Sequence, residues 1–154
     1  VQSGMIAGDE DLVNEIKNYS LFRTYRCSPM TLFELQETLL KYINKQEKEI
    51  PFWNLITQPY SSLEDRCKNL AKSISFSTSI EKGESVIGGG TLPDVTLESP
   101  ILLINNEKTV DTVNQLIKNN IPIIPRIIKD QVCLDLRSVF QNQDDIIVQA
   151  LNNS

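Results

Sequence analysis

Residues 60–80, YSSLEDRCKNLAKSISFSTSI, change their hydrophobic period partway along the stretch. Apolar side chains first recur every three or four residues, which predicts a helix with one buried face. Ser61 followed by Glu64 is a capping-box pattern and predicts where that helix begins. The expected buried face is Leu63, Cys67, Leu70, Ala71 and Ile74. From residue 74 the period becomes two, so a half-buried strand is predicted over residues 74–80.

Two further strand candidates and a helix follow this stretch. The strand candidates are residues 95–97 and 101–104, on either side of Ser99-Pro100. A helix is predicted over residues 108–119 because its apolar side chains share one face. The side chains expected to point inward are Val110, Val113, Leu116 and Ile117. The glycine run 88–90 lacks the Lys-Ser/Thr of a phosphate loop, and it favours a bulge or a close backbone approach.

A hairpin and a short helix complete the C-terminal part. Residues 123–128 and 132–136 are predicted strands around the polar turn at residues 129–131. Asp144 is the predicted cap of the last helix. From residue 60 the order is therefore helix, strand, strand, helix, strand, strand, helix. That order predicts a small antiparallel or mixed sheet with helices packed on one face, an α+β arrangement.

The N-terminal part predicts a strand and two helices. Residues 5–7 form a short apolar run typical of a buried strand, and Asp9 is placed to cap a helix after it. Ser28 before Pro29 predicts the start of a longer helix, because proline is favoured in a first helical turn. The apolar face expected for that helix is Leu32, Leu35, Leu39, Leu40 and Ile43. A short apolar helical turn is predicted to begin at Pro51.

Composition excludes several classes of function. The chain has 154 residues, a net charge of −5, no histidine and three cysteines. The acidic balance argues against nucleic-acid binding by this chain alone, and the lack of histidine removes the Ser-His-Asp and Cys-His mechanisms and makes a protein-held metal improbable. Cys27, Cys67 and Cys133 are odd in number and widely spaced, which indicates free thiols in a reducing compartment. No apolar run approaches the roughly 20 residues of a membrane span.

Arg23 and Arg26 are the candidate binding residues of the chain. They lie three residues apart in residues 21–26, Leu-Phe-Arg-Thr-Tyr-Arg, and would share one side of a helical turn. Two guanidinium groups directed at one point suit a phosphate or another oxyanion, because each can donate two parallel hydrogen bonds. The alternative is a pair of solvated surface charges.

Several motifs, in order along nearly the whole chain, resemble bacterial selenocysteine synthase. Residues 2–8 are similar to the family's Gln-Ala-Gly-Ile-Ile-Val-Gly, and residues 21–26 are similar to Leu-Lys-Arg-Ala-Leu-Arg. Ile50-Pro51 with Leu55-Ile56-Thr57, residues 88–93 (Gly-Gly-Gly-Thr-Leu-Pro), Arg126-Ile127 and residues 134–137 (Leu-Asp-Leu-Arg) also resemble family motifs. The resemblance is to the C-terminal third of the enzyme, which has the aspartate-aminotransferase type of fold. It implies three parts: residues 1–27 from the end of the large cofactor domain, a linker at 28–59 and a small α+β domain at 60–154.

The resemblance also implies an activity. The family uses pyridoxal phosphate to replace the hydroxyl of serine on tRNA(Sec) through a dehydroalanyl intermediate, with selenophosphate as the selenium donor. Arg23 and Arg26 stand at the family's positions for binding that anionic donor. The family's cofactor lysine would precede Val1, so no catalytic or cofactor-binding residue is expected in this chain, and the fragment alone is expected to be inactive. The parent would be a cytoplasmic homo-oligomer.

Two alternatives remain at this stage. Ser28-Pro29 stands where the family has Asp-Lys, and Pro125 replaces a glycine before Arg-Ile. These departures, together with the missing lysine, favour a truncated, non-catalytic homologue that serves as a binding or assembly module. A third interpretation keeps the cofactor and changes the substrate: a pyridoxal-phosphate lyase acting on a small amino acid or sugar acid.

Overall fold

The computed structural model describes residues 2–88 and 92–153. The chain divides into two compact units, Val1–Ile50 (unit 1) and Pro51–Ser154 (unit 2). The three-part division with boundaries after residues 27 and 59 stays a prediction. Within the described part, every helix is too short or too polar to cross a bilayer.

Unit 1 contains two α-helices and two 3₁₀ helices. Helix α1 is Glu10–Asn18, helix α2 is Pro29–Ile43, and the 3₁₀ helices are Ser20–Tyr25 and Glu47–Glu49. Both predicted N-caps of the α-helices are confirmed. The carboxylate of Asp9 accepts hydrogen bonds from the backbone N–H groups of Asp11 and Leu12, at 3.0 and 3.3 Å. Ser28 Oγ accepts from Thr31 N at 3.1 Å, and Pro29 occupies the first turn of α2.

The described residues of unit 1 include no buried side chain. The five residues of the predicted apolar face all lie on α2, as predicted. The leucines of this face are exposed or half-buried, however, and not buried. The predicted buried strand at residues 5–7 is wrong: this segment has no regular structure, and Met5 is 67% exposed. A strand needs a neighbour to accept its backbone hydrogen bonds, and no described strand pairs with these residues.

Unit 2 has the predicted order of helices and strands. It begins with α3 (Pro51–Ile56) and continues with α4 (Tyr60–Ser73), β1 (Ser77–Gly88), β2 (Leu92–Asn105), α5 (Thr109–Lys118), β3 (Arg126–Ile128), β4 (Gln131–Asp135) and α6 (Asp144–Asn152), with 3₁₀ helices at Leu136–Ser138 and Gln141–Gln143. The described strands form one sheet in the order β1-β2-β4-β3, and all its pairs are antiparallel. The α+β prediction is confirmed.

The helices α4, α5 and α6 cover one face of this sheet. Alternate residues of β2 and β4 face them, because successive side chains of a strand point to opposite faces. The buried residues of this core include Leu63, Cys67, Leu70, Leu102, Ile104, Leu116, Val132, Leu134, Ile147 and Leu151. Ile101, Leu103 and Cys133 form a second, smaller buried cluster. The predicted core position of Cys67 is confirmed.

The beginning and end of α4 differ from the prediction. The helix begins at Tyr60 after an N-cap at Pro59, so Ser61 is inside the first turn and the capping box is not formed. Glu64 instead accepts a hydrogen bond from Lys68 Nζ at 2.7 Å, one helical turn later. Ile74 is the buried C-cap of α4, and β1 begins only at Ser77. The predicted strand therefore started three residues too early.

The two predicted strands around Ser99-Pro100 are one continuous strand, β2. Pro100 lies opposite Lys82 of β1, and the pairing of β2 with β4 starts only at Ile101. The missing N–H of Pro100 therefore leaves the ladder between β2 and β4 intact, which explains how proline is accommodated in a long strand. The β1–β2 register shifts between Val86 and Gly88; Gly89 and Gly90, where a bulge was predicted, lie outside the described residues.

Two other local predictions are only partly right. In α5 the buried residues are Thr112 and Leu116, whereas Val110 and Ile117 are 67% and 45% exposed. The hairpin of β3 and β4 is present, but its first strand covers only Arg126–Ile128 instead of residues 123–128, and its turn is Lys129-Asp130 because Gln131 already belongs to β4. Both have positive φ angles, 49° and 60°, as a type I′ turn requires.

Candidate functional site: an arginine pair and a buried polar cluster

Arg23 and Arg26 lie on one short turn of unit 1. Arg23 belongs to the 3₁₀ helix Ser20–Tyr25, and Arg26 directly follows it as the C-cap residue. The backbone N–H of Arg26 donates to the carbonyl oxygen of Arg23 at 3.4 Å. Residues i and i+3 eclipse each other in 3₁₀ geometry, so this local structure favours the same side for both arginines.

The arginine pair has no ionic partner among the described residues. Both residues are exposed, and neither guanidinium forms an ion pair or a side-chain hydrogen bond with another described residue. The turn itself is held by Thr24, whose Oγ1 donates to the Leu21 carbonyl oxygen at 2.6 Å. Each guanidinium therefore keeps its five N–H donors for water or a ligand.

A cluster of polar groups around Asp135 lies in unit 2. The Asp135 carboxylate accepts from Ser85 Oγ at 2.5 Å, Ser99 Oγ at 2.9 Å, Arg126 Nη2 at 3.2 Å and the backbone N–H of Arg137 at 3.1 Å. These contacts connect β1, β2, β3 and the end of β4. A carboxylate with four donors is fully satisfied, so Asp135 fixes the strands together at this end of the sheet.

Arg137 is a buried cation with neutral partners. Its side chain donates to three backbone carbonyl oxygens: Nη1 to Ile56 at 3.0 Å and Gln58 at 2.9 Å, and Nη2 to Glu98 at 2.7 Å. The residue is 6% exposed, and its Nε is a buried atom with no hydrogen-bond partner in the structure. In the sequence, residues 134–137 carried only the family resemblance, and their partners in the polar cluster are too distant along the chain to be predicted locally.

Arg66 and Asp144 form a long-range ion pair that was not predicted from the sequence. Arg66 Nε donates to Asp144 Oδ2 at 2.8 Å, and Arg66 Nη1 donates to the carbonyl oxygens of Leu136 and Val139 at 3.0 and 2.9 Å. The predicted capping role of Asp144 is wrong: it is the first residue of α6, after an N-cap at Gln143. Its carboxylate is oriented towards Arg66 on α4, 78 residues away in the sequence.

The three cysteines are free thiols, with different environments. Burial raises the pKa of Cys67 from 9.0 to about 12, against the opposing effect of Arg66. Burial also raises the pKa of Cys133, although Arg126 lowers it in part. Both buried thiols therefore stay protonated at neutral pH and are poor nucleophiles. Cys27, beside the arginine pair, is half-buried.

Comparison with known proteins identifies the family. A sequence model of the L-seryl-tRNA selenium transferase family matches residues 1–140. Curated relatives carrying the name L-seryl-tRNA(Sec) selenium transferase include proteins of Clostridium perfringens (33% identical over 160 residues), Campylobacter jejuni subsp. doylei (30% over 152) and Campylobacter fetus subsp. fetus (32% over 152). These alignments cover 97%, 99% and 99% of this chain and 34% of each relative. The chain thus spans about a third of the length of the curated relatives it matches.

By their names, the matched proteins form one class, the selenium transferases. Within that class, the chain belongs to the L-seryl-tRNA selenium transferase family. The resemblance predicted from the sequence motifs is confirmed at the level of the family.

Proposed function

We propose that the complete protein converts seryl-tRNA(Sec) to selenocysteinyl-tRNA(Sec), and that Arg23 and Arg26 bind the phosphate group of selenophosphate in that reaction. The observation that supports this role most directly is the exposed arginine pair on one 3₁₀ turn, without an ionic partner among the described residues. Family membership supports the choice of substrates. The proposed location is the cytoplasm.

The chemical role of the pair follows from its charge. Two guanidinium groups can each donate two parallel hydrogen bonds to phosphate oxygens, which positions the donor and its selenium atom. Negative charge on the phosphate oxygens is stabilised throughout selenium transfer by the same fixed cations. A lysine would supply the charge but not the paired hydrogen bonds, because its ammonium group is a point charge.

The residues of this chain do not fit pyridoxal phosphate. A Schiff-base lysine needs a desolvated site that lowers its pKa, but no lysine in the described part is buried. The pKa values of Lys68 and Lys82 are raised, in each case chiefly by a hydrogen bond to a glutamate. In the proposal, therefore, polypeptide outside residues 1–154 supplies the cofactor lysine, and this chain supplies the anion site.

The test uses the complete protein with Arg23→Ala and Arg26→Ala, assayed for selenium incorporation into seryl-tRNA(Sec). A charge-assisted hydrogen bond contributes about 1.5–3 kcal/mol, so each substitution should raise the KM for selenophosphate about 10- to 100-fold. Arg23→Lys should recover only part of the loss. Lys17→Ala removes a nearby exposed cation of α1 and should change nothing. An unaltered KM in both arginine variants, with folding intact, would refute the proposed role.

A non-catalytic binding module is the second candidate, and Ser28-Pro29 favours it, because these residues stand next to the arginine pair where the family has Asp-Lys. The selenium-incorporation assay distinguishes this module from the transferase. If the complete natural protein shows no selenium incorporation but binds tRNA(Sec) or other subunits, the module is the correct interpretation. Activity of the complete protein would exclude it.

A further inference from the structure

Unit 2 contains a cleft of about 630 Å³ that the proposed function does not use. Its described lining residues all lie between residues 52 and 147. They come from α3, the β1–β2 hairpin, the segment 121–124, the β3–β4 hairpin, the 3₁₀ segment 137–143 that contains Arg137, and the start of α6. A volume of this size is typical of sites for small organic ligands.

The charged side chains of the cleft carry an excess of positive charge. Among its described lining residues, Arg126 and Arg137 are cations and Asp135 is the single carboxylate. The Cys133 thiol also lines the cleft, and its raised pKa keeps it neutral. The cleft is therefore positive within a chain whose net charge is −5.

The charge of Arg137 has no ionic partner within the cleft. Its three side-chain hydrogen bonds go to neutral carbonyl oxygens, and Nε is left without an acceptor. Asp135 bonds to the backbone N–H of Arg137, but its carboxylate is already shared with Ser85, Ser99 and Arg126. Burying a cation without a counter-ion is costly, and an anion in the cleft would reduce that cost.

Arg126 adds a more accessible donor to the cleft, and its side chain shares Asp135 with the backbone N–H of Arg137. Its side chain is 44% exposed, and it pairs with Asp135 at 3.2 Å. A further hydrogen bond runs from Nη1 to the carbonyl oxygen of Glu84 at 3.2 Å. These contacts orient the guanidinium and use only part of its five donors, so the remaining N–H groups are free to bind an anion.

The other walls of the cleft are apolar. They include Phe52, Leu55 and Ile56 of α3 and residues 121–124, Ile-Pro-Ile-Ile. Phe52 is 46% exposed, Ile121 is 48% exposed and Ile124 is 83% exposed. A ligand that matches this surface has an anionic group at the arginines and an apolar body against the isoleucines.

We propose that this cleft binds a small organic anion, with its phosphate or carboxylate group at Arg126 and Arg137 and its apolar part against Phe52 and residues 121–124. Both kinds of head group can accept paired hydrogen bonds from a guanidinium. The site lies in unit 2, whereas the arginine pair of the proposed function lies in unit 1. The two can therefore be tested separately.

The experiment titrates the 154-residue chain with four probes: phenyl phosphate, benzoate, inorganic phosphate and benzyl alcohol. Amide chemical shifts give both the affinity and the location of binding. Phenyl phosphate or benzoate should bind with saturation and shift the amides of residues 121–137. Inorganic phosphate should bind there more weakly, because it lacks the apolar body, and neutral benzyl alcohol should bind more weakly than both aromatic anions. The stronger of the two aromatic anions identifies the head group.

Four variants test the site. Arg126→Gln should weaken binding of the aromatic anion about tenfold, the loss of one charge-assisted hydrogen bond, and Arg126→Lys should weaken it less. Since Arg126→Gln also removes a partner of Asp135, Ile124→Glu provides a second test that spares this network: an acidic side chain at a highly exposed lining position should repel the anion. The matched control is Val110→Glu on α5, 67% exposed and not part of the cleft lining, which should leave binding unchanged.

The proposal is overturned if neither aromatic anion binds at about 10 mM. It is also overturned if benzyl alcohol binds as well as they do, or if Ile124→Glu and Val110→Glu have equal effects. Shifts confined to residues 21–26 would place anion binding at the arginine pair alone and would exclude the cleft. Such a result would leave the proposed function standing, so the failure of one proposal is distinguishable from the failure of the other.

Discussion

The two units differ in what happens to their apolar side chains. In unit 2, three helices and a sheet bury a contiguous core, with Leu63, Leu102 and Leu151 fully inaccessible. In unit 1, the helices form with good caps, yet large apolar residues such as Phe22, Phe33 and Ile43 stay exposed. Local signals are therefore sufficient to specify helices, whereas burial needs a partner surface. Unit 2 carries its own partner surface, and the described part of unit 1 does not.

The largest expected effect compares one leucine from each unit. Leu63→Ala should lower the free energy of unfolding by about 3–5 kcal/mol, because it removes a fully buried side chain and leaves a cavity. Leu39→Ala on α2, where the leucine is 40% exposed, should cost less than about 1 kcal/mol. Urea unfolding of the 154-residue chain measures both. Equal costs would mean that unit 1 has a core of its own.

The next prediction compares ion pairs. Asp144→Ala leaves the buried Arg66 without its carboxylate and should cost about 3 kcal/mol. Glu49→Ala removes the partner of Lys41 in unit 1, where both side chains are more than a third exposed, and should cost about 0–1 kcal/mol. The same urea titrations apply. A cost below about 1 kcal/mol for Asp144→Ala would show that Arg66 finds a replacement partner.

A smaller effect concerns the cap of α2. Ser28→Ala removes the acceptor for Thr31 N and should destabilise the helix by about 1 kcal/mol. Because residues 2–50, the part of unit 1 that the structure describes, include no buried residue to support the helix, the loss should appear as faster hydrogen exchange over residues 29–35 and little change in unit 2. Ser61→Ala is the matched control, since Ser61 makes no capping bond. Similar exchange in both variants would contradict the importance of the cap.

The smallest effect at neutral pH involves the buried thiol Cys67. Its pKa is raised to about 12 from 9.0, so the folded state retains a proton that the unfolded chain loses. The contribution of the protonated Cys67 thiol to the free energy of unfolding is fully present below pH 9 and is lost as the pH rises towards 12. Cys67→Ala should be less stable than the wild type at about pH 8, yet its stability should fall less between about pH 9 and pH 11. Parallel pH dependence in the two proteins would contradict the assignment.

The sequence predicted the features that depend on near neighbours. The change of period after residue 74 gave the order of elements in unit 2, and Ser28-Pro29 gave the start of α2, because these signals act within one or two helical turns. The prediction that Ser61 begins α4 was wrong. A capping box competes with other possible N-cap positions, and here the N-cap is Pro59. The strand predicted at residues 5–7 was wrong because a strand needs a neighbouring strand to pair with, and the local sequence does not specify that neighbour.

The candidate sites divide in the same way. Arg23 and Arg26 were predicted as an anion site from their spacing and from the family resemblance; the structure has both on one turn, and their binding role stays a prediction. The cluster of Ser85, Asp135 and Arg137 was not found, because it joins residues up to 52 positions apart through the sheet. Asp144 was assigned the local role of a cap when its partner was a distant arginine. Long-range polar pairs require the fold before they can be recognised.

The most direct test of the proposed function is a binding measurement on the complete protein. Calorimetric titration with selenophosphate should show saturable binding to the wild type. In Arg23→Ala/Arg26→Ala, the affinity should fall about 100-fold or more, because two charge-assisted interactions are lost. Binding of equal affinity in the double variant, with the fold preserved, would contradict the claim that this arginine pair holds the selenium donor.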